Sequence, residues 1–430
     1  MRLAEAERWL DGLINRERQP RVSYSRFGLE AIESLLGRIG NPERGLSVVH
    51  IAGSKGKGST ALLAEALLLG LGESVGTFTS PHLERWTERF RIDGREVEGD
   101  VLARAVDRIR PHVDAMRAED SELWPSFFDA TTAAAFVLFA EAGVDRVVLE
   151  VGLGGRLDST NSVTPAVTCV TSIEYEHTDK LGNTLAEIAG EKAGILKPGV
   201  PCVIGCLPAE AVKVIEERAA LLDVRLERLS EQTIAETGHY RFGDGFSFSA
   251  PLAVSGDHQR GNAAVAVAAV RALRVHDDDR IAGAARDAFA KVSLPGRVEI
   301  VERDPWVIID GAHTRESVRA LAAFVSGLEV RSRHFVLSVS IDKALDPMLE
   351  LLLPMAHELT ITRADPVRGL APEEVARRVG LQATEIELHL ADDPAQAIRE
   401  ARESLAPGAL LCVVGSVYLA GIARRELVGS

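Results

Sequence analysis

Short runs of aliphatic and β-branched residues alternate along the chain with longer stretches of helical character. The short runs predict buried strands at 46–53 (LSVVHIAG), 145–152 (DRVVLEVG), 166–173 (AVTCVTSI) and 201–206 (PCVIGC). The longer stretches predict helices at 59–72, 129–143 and 183–196. Continuous apolar runs are typical of strands that are covered on both faces. Strands that alternate with helices in this way predict a parallel sheet with helices on both sides.

The pattern changes at two places. The stretch 226–256 is rich in turn residues and short alternating segments, which predicts an antiparallel hairpin before a strong helix at 259–275. After LPGR at 294–297, the alternation of strands and helices starts again and continues to the end of the sequence. We therefore expect two α/β domains, a parallel-sheet domain at 1–293 and a smaller, Rossmann-like α/β domain at 294–430.

The composition fits a globular protein and narrows the class of partner. Of the 430 residues 46% are hydrophobic, and 49 Lys and Arg stand against 63 Asp and Glu, for a net charge of -14. This balance argues against a nucleic-acid or membrane-surface partner, because both carry negative charge. The charged, amphipathic N-terminus does not resemble a signal peptide, and the four cysteines lack zinc-ligand spacing. We expect a cytoplasmic monomer in a reducing compartment.

A glycine-rich segment, HIAGSKGKGST, joins the first predicted strand to the helix that follows. Its glycines allow a tight bend that turns backbone N–H groups inward, and the start of the helix adds a positive dipole end. The strict eight-residue phosphate-loop pattern is not met, because Gly58 separates Lys57 from Ser59. The alternative is a glycine-rich turn that caps an ordinary helix. As a phosphate loop, the segment makes the first domain an ATPase-type domain whose nucleotide-binding residues are Gly53, Gly56, Lys57, Gly58, Ser59 and Thr60.

Polar residues also follow two other predicted strands. Glu150 ends a buried strand, where folds of this kind bind ligands, and a glycine cluster at 152, 154 and 155 would let a ligand approach the backbone. His177 follows the next strand among acidic neighbours, which favours a metal-ligand role over a surface position. In the second domain, Asp310 and His313 end the run WVIIDGAH and could face a nucleotide. By composition alone, Lys192 beside Glu191 on a helix is typical of a solvated side chain.

Taken together, these motifs resemble the folylpolyglutamate synthase/dihydrofolate synthase family of the Mur-ligase superfamily. The resemblance covers nearly the whole chain, and several of its motifs are long and specific. It runs through FGLEAIESLLGRIGNP, HIAGSKGKGST, TSPHLERWTERFRIDG, SFFDATTAAAF, LEVGLGGRLDSTN, EHTDKLGNTLAEIAGEKAGILKPGVP, HQRGNAAVA, LPGR, DGAH and GSVYLAG.

The resemblance implies a role for each matching residue. The loop residues would bind the phosphates of ATP, and the nucleotide would also contact Asn262, Arg297, Asp310 and His313. Mg²⁺ would be held by Ser80, Glu150, His177 and a carbamylated Lys192, which reverses the composition-based interpretation of that lysine. A pterin-bearing substrate would contact Phe27, Gly28, Leu29, Ser126, Phe127, Phe128, Asp129, Leu157, Asp158 and Ser159.

The implied activity is an ATP- and Mg²⁺-dependent ligation of L-glutamate to dihydropteroate, folates or both, through an acyl phosphate. Four departures from the family pattern put the acceptor in question: Lys55 follows Ser54 where the family has Thr-Asn, Asp129 replaces Glu, Glu176 replaces Asp, and Thr314 replaces Asn. Three alternatives stay open: a related ligase for another carboxylate and amino acid, a phosphate-loop kinase or NTPase of another class, and a catalytically silent relative.

Overall fold

A computed structural model describes residues 2–14, 28–119, 123–234, 236–382 and 385–429. Phe27, a predicted substrate contact, lies outside these residues. The chain divides into two compact units, one of Met1–Leu252 and Arg260–Val292, the other of Ala253–Gln259 and Ser293–Ser430. The short segment Ala253–Gln259 therefore groups with the second unit, although the sequence prediction assigned it to the first domain.

The first unit is built on an eight-stranded sheet. In space its strands follow the order β4-β3-β2-β5-β1-β6-β7-β8, and all neighbours are parallel except the pairs β2–β3 and β3–β4. The strands are β1 Val48–Ala52, β2 Val75–Phe78, β3 Phe90–Ile92, β4 Arg95–Glu96, β5 Arg146–Glu150, β6 Val167–Val170, β7 Cys202–Ile204 and β8 Leu226–Arg228.

Helices cover both faces of this sheet, and a separate antiparallel hairpin pairs β9 His239–Arg241 with β10 Ser247–Ser249. The helices are α1 Leu3–Asp11, α2 Glu30–Arg38, α3 Lys57–Gly70, α4 Gly99–Glu119, α5 Phe127–Ala142, α6 Thr178–Leu181, α7 Leu185–Ala193, α8 Ala209–Leu221, α9 Asp257–Ala272 and α10 Asp278–Phe289.

The central strand β1 shows why the chain adopts this layered form. All of its residues are buried, and successive side chains point to opposite faces of the sheet. Val48 joins the apolar cluster formed with α2, α4 and α5, whereas Val49 and Ile51 join the cluster formed with α3, α9 and α10. A strand buried on both faces requires helices on both sides, as the sequence predicts.

The second unit contains a six-stranded sheet in the order β11-β12-β16-β13-β14-β15, parallel except for the pair β11–β12. Its strands are β11 Glu299–Arg303, β12 Trp306–Ile309, β13 Arg333–Leu337, β14 Glu358–Ile361, β15 Glu387–Leu390 and β16 Leu410–Val414. Its helices are α11 Arg315–Ser326, α12 Leu345–Leu352, α13 Pro372–Gly380, α14 Pro394–Glu403 and α15 Val417–Leu427.

The structure confirms the predicted α/β class and the four buried strands, which correspond to β1, β5, β6 and β7. The prediction for 226–256 is only partly right, because β8 pairs in parallel with β7 at the edge of the main sheet and only β9 and β10 form a hairpin. Among the described residues, no helix has the length and apolar character that a membrane crossing requires.

Candidate active site

The candidate phosphate loop lies at the carboxyl end of the central strand of the first sheet. Strand β1 lies between β5 and β6 and is parallel to both, so the three strands end at the same edge of the sheet. The chain then turns through Gly53–Gly56 into α3. Open α/β sheets bind ligands at this kind of edge, next to the N-terminus of the helix that follows.

Two loop glycines are required by the local packing. Gly53 and Gly56 have φ angles of 150° and 82°, which side chains rarely adopt. A Cβ atom at Gly53 would lie 1.9 Å from the hydroxyl of Thr171, and one at Gly56 would lie 2.2 Å from Oδ1 of Asn262. Lys57 Nζ donates a hydrogen bond to the Gly53 carbonyl at 2.9 Å, so its ammonium group spans the loop.

The loop backbone is fixed by the segment that follows β6. The N–H of Lys55 donates to Ser172 Oγ at 2.8 Å, and the carbonyl of Lys55 accepts hydrogen bonds from the hydroxyls of Thr171 and Ser172. The hydroxyl of Ser54 donates to the carbonyl of Glu174. The anchors at Lys55 use backbone atoms, so its departure from the family pattern leaves this anchoring intact.

Glu150 lies beside the start of α3, at the end of β5. Its Oε2 atom accepts a hydrogen bond from the N–H of Ser80 at 2.9 Å, and a Cβ atom at Gly58 would lie 3.3 Å from the same oxygen. Glu150 and Ser59 are each only 5% exposed. The Ser80 segment and the Glu150 carboxylate are therefore held together next to the phosphate loop, and hydroxyl and carboxylate oxygens are donors that Mg²⁺ prefers.

The neighbouring glycines do not have the role that the sequence suggests. A Cβ atom at Gly152 would lie 2.5 Å from the ring of Phe128, and one at Gly155 would lie 2.9 Å from Ile195. Protein side chains therefore occupy the space that the missing side chains leave. The expectation that these two glycines open the backbone to a ligand is corrected here, because they allow close packing of α5 and the end of α7.

A buried ion pair joins Lys192 on α7 to Glu176. The Lys192 side chain is 1% exposed, and its Nζ atom donates to Glu176 Oε1 at 2.6 Å. The composition-based interpretation of Lys192 as solvated is wrong, because residue type does not show which side of a helix is covered. Burial lowers the pKa of Lys192, although the carboxylate of Glu176 raises it.

The charge of Glu176 is stabilised by several cations. Burial alone would raise the pKa of Glu176, but the ammonium groups of Lys192 and Lys57 outweigh it and bring the pKa to about 2. His177, the next residue, is exposed and has a positive φ of 43° at the N-terminus of α6. The ion pair between Lys192 and Glu176 thus joins α7 to the segment that contains His177, and Glu176 also interacts electrostatically with Lys57 of the phosphate loop.

Three of the predicted substrate-contact residues, Ser126, Asp129 and Ser159, form a hydrogen-bonded network at the start of α5. The carboxylate of Asp129 accepts from the N–H and hydroxyl of Ser126 at 2.7 Å each, and from the hydroxyl of Ser159 at 2.6 Å. Asp158 accepts from the N–H groups of Leu153 and Thr160. Gly28, Leu29, Phe128 and Leu157 are half-buried, whereas Phe127 is 1% exposed.

Sequence reasoning gave no role to a buried arginine beside this network. Arg89 is 1% exposed, and its Nε donates to His82 Nδ1 at 2.9 Å. Its guanidinium carbon lies 5.2 Å from the ring centroid of Trp86 and 5.3 Å from that of Phe127. The motif TSPHLERWTERF contains this cluster, but only the folded structure brings Phe127 to it.

In the second unit, Arg297 and Asp310 lie together. Asp310 is 7% exposed and accepts from the N–H groups of Val298 and Ala312 at 2.6 Å each. Burial raises its pKa, while the charge of Arg297 and these two hydrogen bonds lower it. A Cβ atom at Gly311 would lie 2.9 Å from Arg297 Nη1.

The other predicted residues of the second unit flank this pair. The carbonyl of Gly311 is 2.7 Å from His313 Nδ1. Thr314, one of the four departures from the family pattern, caps α11. Asn262 belongs to the first unit, where its side chain lies next to Gly56.

Comparison with known proteins gives a consistent result. Residues 296–417 match the family model described as Mur ligase, glutamate ligase domain. The chain is 33% identical to a dihydrofolate synthase/folylpolyglutamate synthase from Bacillus subtilis, over 98% of each protein. It superposes on folylpolyglutamate synthase from Mycobacterium tuberculosis, complexed with ADP and AMPPCP, with a TM-score of 0.87 and 32% identity over 99% of this chain and 98% of that one.

A bifunctional folylpolyglutamate synthase/dihydrofolate synthase with Mn, AMPPNP and L-glutamate bound gives a TM-score of 0.84 and 28% identity, over 100% of this chain and 98% of that one. The likeness in sequence and in structure extends over both units. It confirms the resemblance seen in the sequence motifs. The chain belongs to the dihydrofolate synthase/folylpolyglutamate synthase family.

Proposed function

We propose that this protein is an ATP- and Mg²⁺-dependent ligase that joins L-glutamate to the carboxylate of dihydropteroate, of a folate, or of both. The observation that carries the proposal is the meeting of the phosphate loop, Glu150 and Lys192 at one sheet edge, in a chain of this family. The names of its relatives support the same substrates, and bound nucleotide, Mn and L-glutamate in solved relatives support the same co-substrates.

In the proposed reaction, the substrate carboxylate attacks the γ-phosphorus of ATP. The bond to the β-phosphate oxygen breaks, ADP leaves, and an acyl phosphate forms. The amine of glutamate then attacks the acyl carbon and loses a proton, and inorganic phosphate leaves as the amide forms. ATP supplies the leaving group, so the protein contributes mainly by positioning the reactants and stabilising charge.

The phosphate loop would position the phosphates of ATP and stabilise their charge. Its N–H groups and the start of α3 would bind the transferring phosphates, and Lys57 would exchange its bond with the Gly53 carbonyl for one with a phosphate oxygen. Gly56, Gly58, Ser59 and Thr60 would line the same cradle. In our proposal Asn262 and, in the second unit, Arg297, Asp310 and His313 contact the nucleotide.

Ser80, Glu150 and His177 would hold Mg²⁺, and the hydrogen bond between Glu150 and the Ser80 backbone fits this role because it brings these two positions together. A bound Mg²⁺ would neutralise phosphate charge and orient the reacting groups. Lys192 would be carbamylated. Burial lowers the pKa of Lys192, so the neutral amine, which is the form that reacts with CO₂, is more accessible than for a solvated lysine. The carbamate would place a second anion beside Glu176, so a further cation would be needed there.

The pterin-bearing substrate would lie near Phe27, Gly28 and Leu29 and near the network around α5. Asp129 accepts hydrogen bonds from the hydroxyls of Ser126 and Ser159, so in this proposal it positions those two hydroxyls. Phe127, Phe128, Leu157 and Asp158 would complete the surroundings. A cytoplasmic location and a monomeric state are also part of the proposal.

The most informative experiment is an ADP-release assay with dihydropteroate and with tetrahydrofolate, each with and without L-glutamate. We expect ADP release only when a pterin carboxylate and glutamate are both present. ADP release without the amino acid would favour a kinase or NTPase. Turnover only with another carboxylate and amino acid would favour a related ligase, and no turnover with any pair would favour a silent relative.

Replacing Lys57 with alanine should reduce glutamate-dependent ADP release by about 100-fold or more, because the ammonium group that neutralises the transferring phosphate is lost. The measurement is kcat at saturating ATP. Lys180→Ala, which removes a lysine from the neighbouring α6, serves as the matched control and should retain activity. Circular dichroism checks that both variants fold. Near-wild-type ligation by a folded Lys57→Ala variant would contradict the proposed mechanism.

Replacing Lys192 with alanine should reduce turnover by at least about tenfold, and added acetate should restore part of it if the missing group is a carbamate. Methylammonium should restore activity instead if the lysine acts as an ammonium ion. The readout is ADP release across a concentration series of each additive. Unchanged activity of the variant without either additive would rule out both roles.

A further inference from the structure

Three neighbouring strands of the second unit place two imidazoles and two carboxylates on one face of its sheet. Glu358 of β14 is the register partner of His334 on β13 and of Glu387 on β15. His389 lies two residues beyond Glu387, opposite Thr360. Residues two apart in a strand share a face, so all these side chains project from the same side of the sheet. They lie outside the residues proposed above for ligation.

The distances within this group match those between ligands of one metal ion. The Nε2 atom of His389 lies 3.5 Å from Glu387 Oε1 and 3.9 Å from Glu358 Oε1. One ligand atom from each of the three residues lies within 4.8 Å of the others. Zinc–ligand bonds of about 2.0–2.2 Å in a tetrahedron give ligand separations of about 3.3–3.6 Å. Small rotations of these side chains would bring the three into that range.

His334 supplies a second, independent observation. Its side chain is 7% exposed, and its Nε2 atom lies 2.8 Å from the hydroxyl of Thr360. Its other nitrogen, Nδ1, is buried and lies 2.7 Å from Glu358 Oε2, with no hydrogen-bond partner among the described residues. If Nε2 donates to Thr360, Nδ1 directs a lone pair towards the Glu358 carboxylate, and a cation bound by that carboxylate would offset the repulsion between the two groups.

We propose that Glu358, Glu387 and His389 bind a divalent transition-metal ion of the zinc class, with the buried His334 beside Glu358 to position that carboxylate. Mixed imidazole and carboxylate ligands suit Zn²⁺ or Co²⁺, whereas Mg²⁺ and Ca²⁺ prefer oxygen ligands alone. The side chains of Glu387 and His389 are 68% and 46% exposed, which gives the ion a route from solvent.

The ion would also have a structural effect. Strand β15 lies at the end of the second sheet, it pairs only with β14 among the described strands, and its residues are all exposed. Ligands from β14 and β15 would tie this edge strand to its neighbour in the sheet. The site is therefore expected to stabilise the second unit when the ion is bound, by the ordinary linkage between binding and folding.

The test is a titration of the full-length protein with Co²⁺ after removal of metal ions by a chelator, without nucleotide. We expect one Co²⁺ per chain with the strong visible absorption of a tetrahedral site, and we expect Zn²⁺ to displace it. His389→Ala and the more conservative Glu387→Gln should each weaken Co²⁺ binding by at least about tenfold. Both replaced side chains are largely exposed, so both variants should fold, and circular dichroism checks this.

Two further variants test whether the Co²⁺ absorption comes from the proposed site. His239→Ala removes a histidine from the hairpin of the first unit and should leave the titration unchanged. His177→Ala, which changes the proposed Mg²⁺ site, should also retain the signal. No tetrahedral absorption in the wild-type protein, wild-type binding by both His389→Ala and Glu387→Gln, or loss of the signal in His177→Ala alone would overturn the proposal.

Discussion

The carboxyl ends of β1, β5 and β6 meet at one edge of the first sheet, and this edge must accept phosphates without side-chain bulk in the way. Gly53 and Gly56 let the loop turn at this edge, because both have positive φ angles and a Cβ atom at either position would overlap Thr171 or Asn262. The hydroxyls after β6 then fix the loop backbone through Lys55. These hydrogen bonds keep the loop N–H groups oriented before the nucleotide binds. The loop is therefore preorganised, and binding costs little conformational entropy.

A buried lysine adds a second constraint at the same edge. An isolated ammonium group in the protein interior is costly, and Glu176 offsets that cost for Lys192 through the contact of 2.6 Å. The longer acid at position 176 thus has a visible role in the structure. Glu176 also connects the segment that contains His177 to α7. A change in the charge of Lys192 would therefore change the pKa of Glu176, which also interacts electrostatically with Lys57. In the proposed reaction, carbamylation of Lys192 would therefore change the charge beside Glu176.

Local sequence patterns were sufficient for the layered sheet and for the phosphate loop, because a buried strand, a glycine-rich turn and an apolar helix are consecutive in the chain. They were insufficient where burial depends on distant residues. Lys192 has an unremarkable local environment, and only the packing of α7 hides it. Gly152 lies beside an acid in the sequence, but the residue that fills its space is Phe128 from another helix. Likewise, the ligands proposed on β14 and β15 are separated in sequence by α13, and parallel strand pairing brings them together.

The central claim is that the carboxylate of the acceptor is activated as an acyl phosphate. Ligation with an acceptor whose carboxylate carries ¹⁸O tests it most directly, by mass analysis of the inorganic phosphate that is released. Attack of the carboxylate on the γ-phosphorus places one labelled oxygen in the phosphate of each turnover. We predict one ¹⁸O per phosphate, matched by loss of one label from the amide product. Phosphate without label, released during active ligation, would contradict the mechanism.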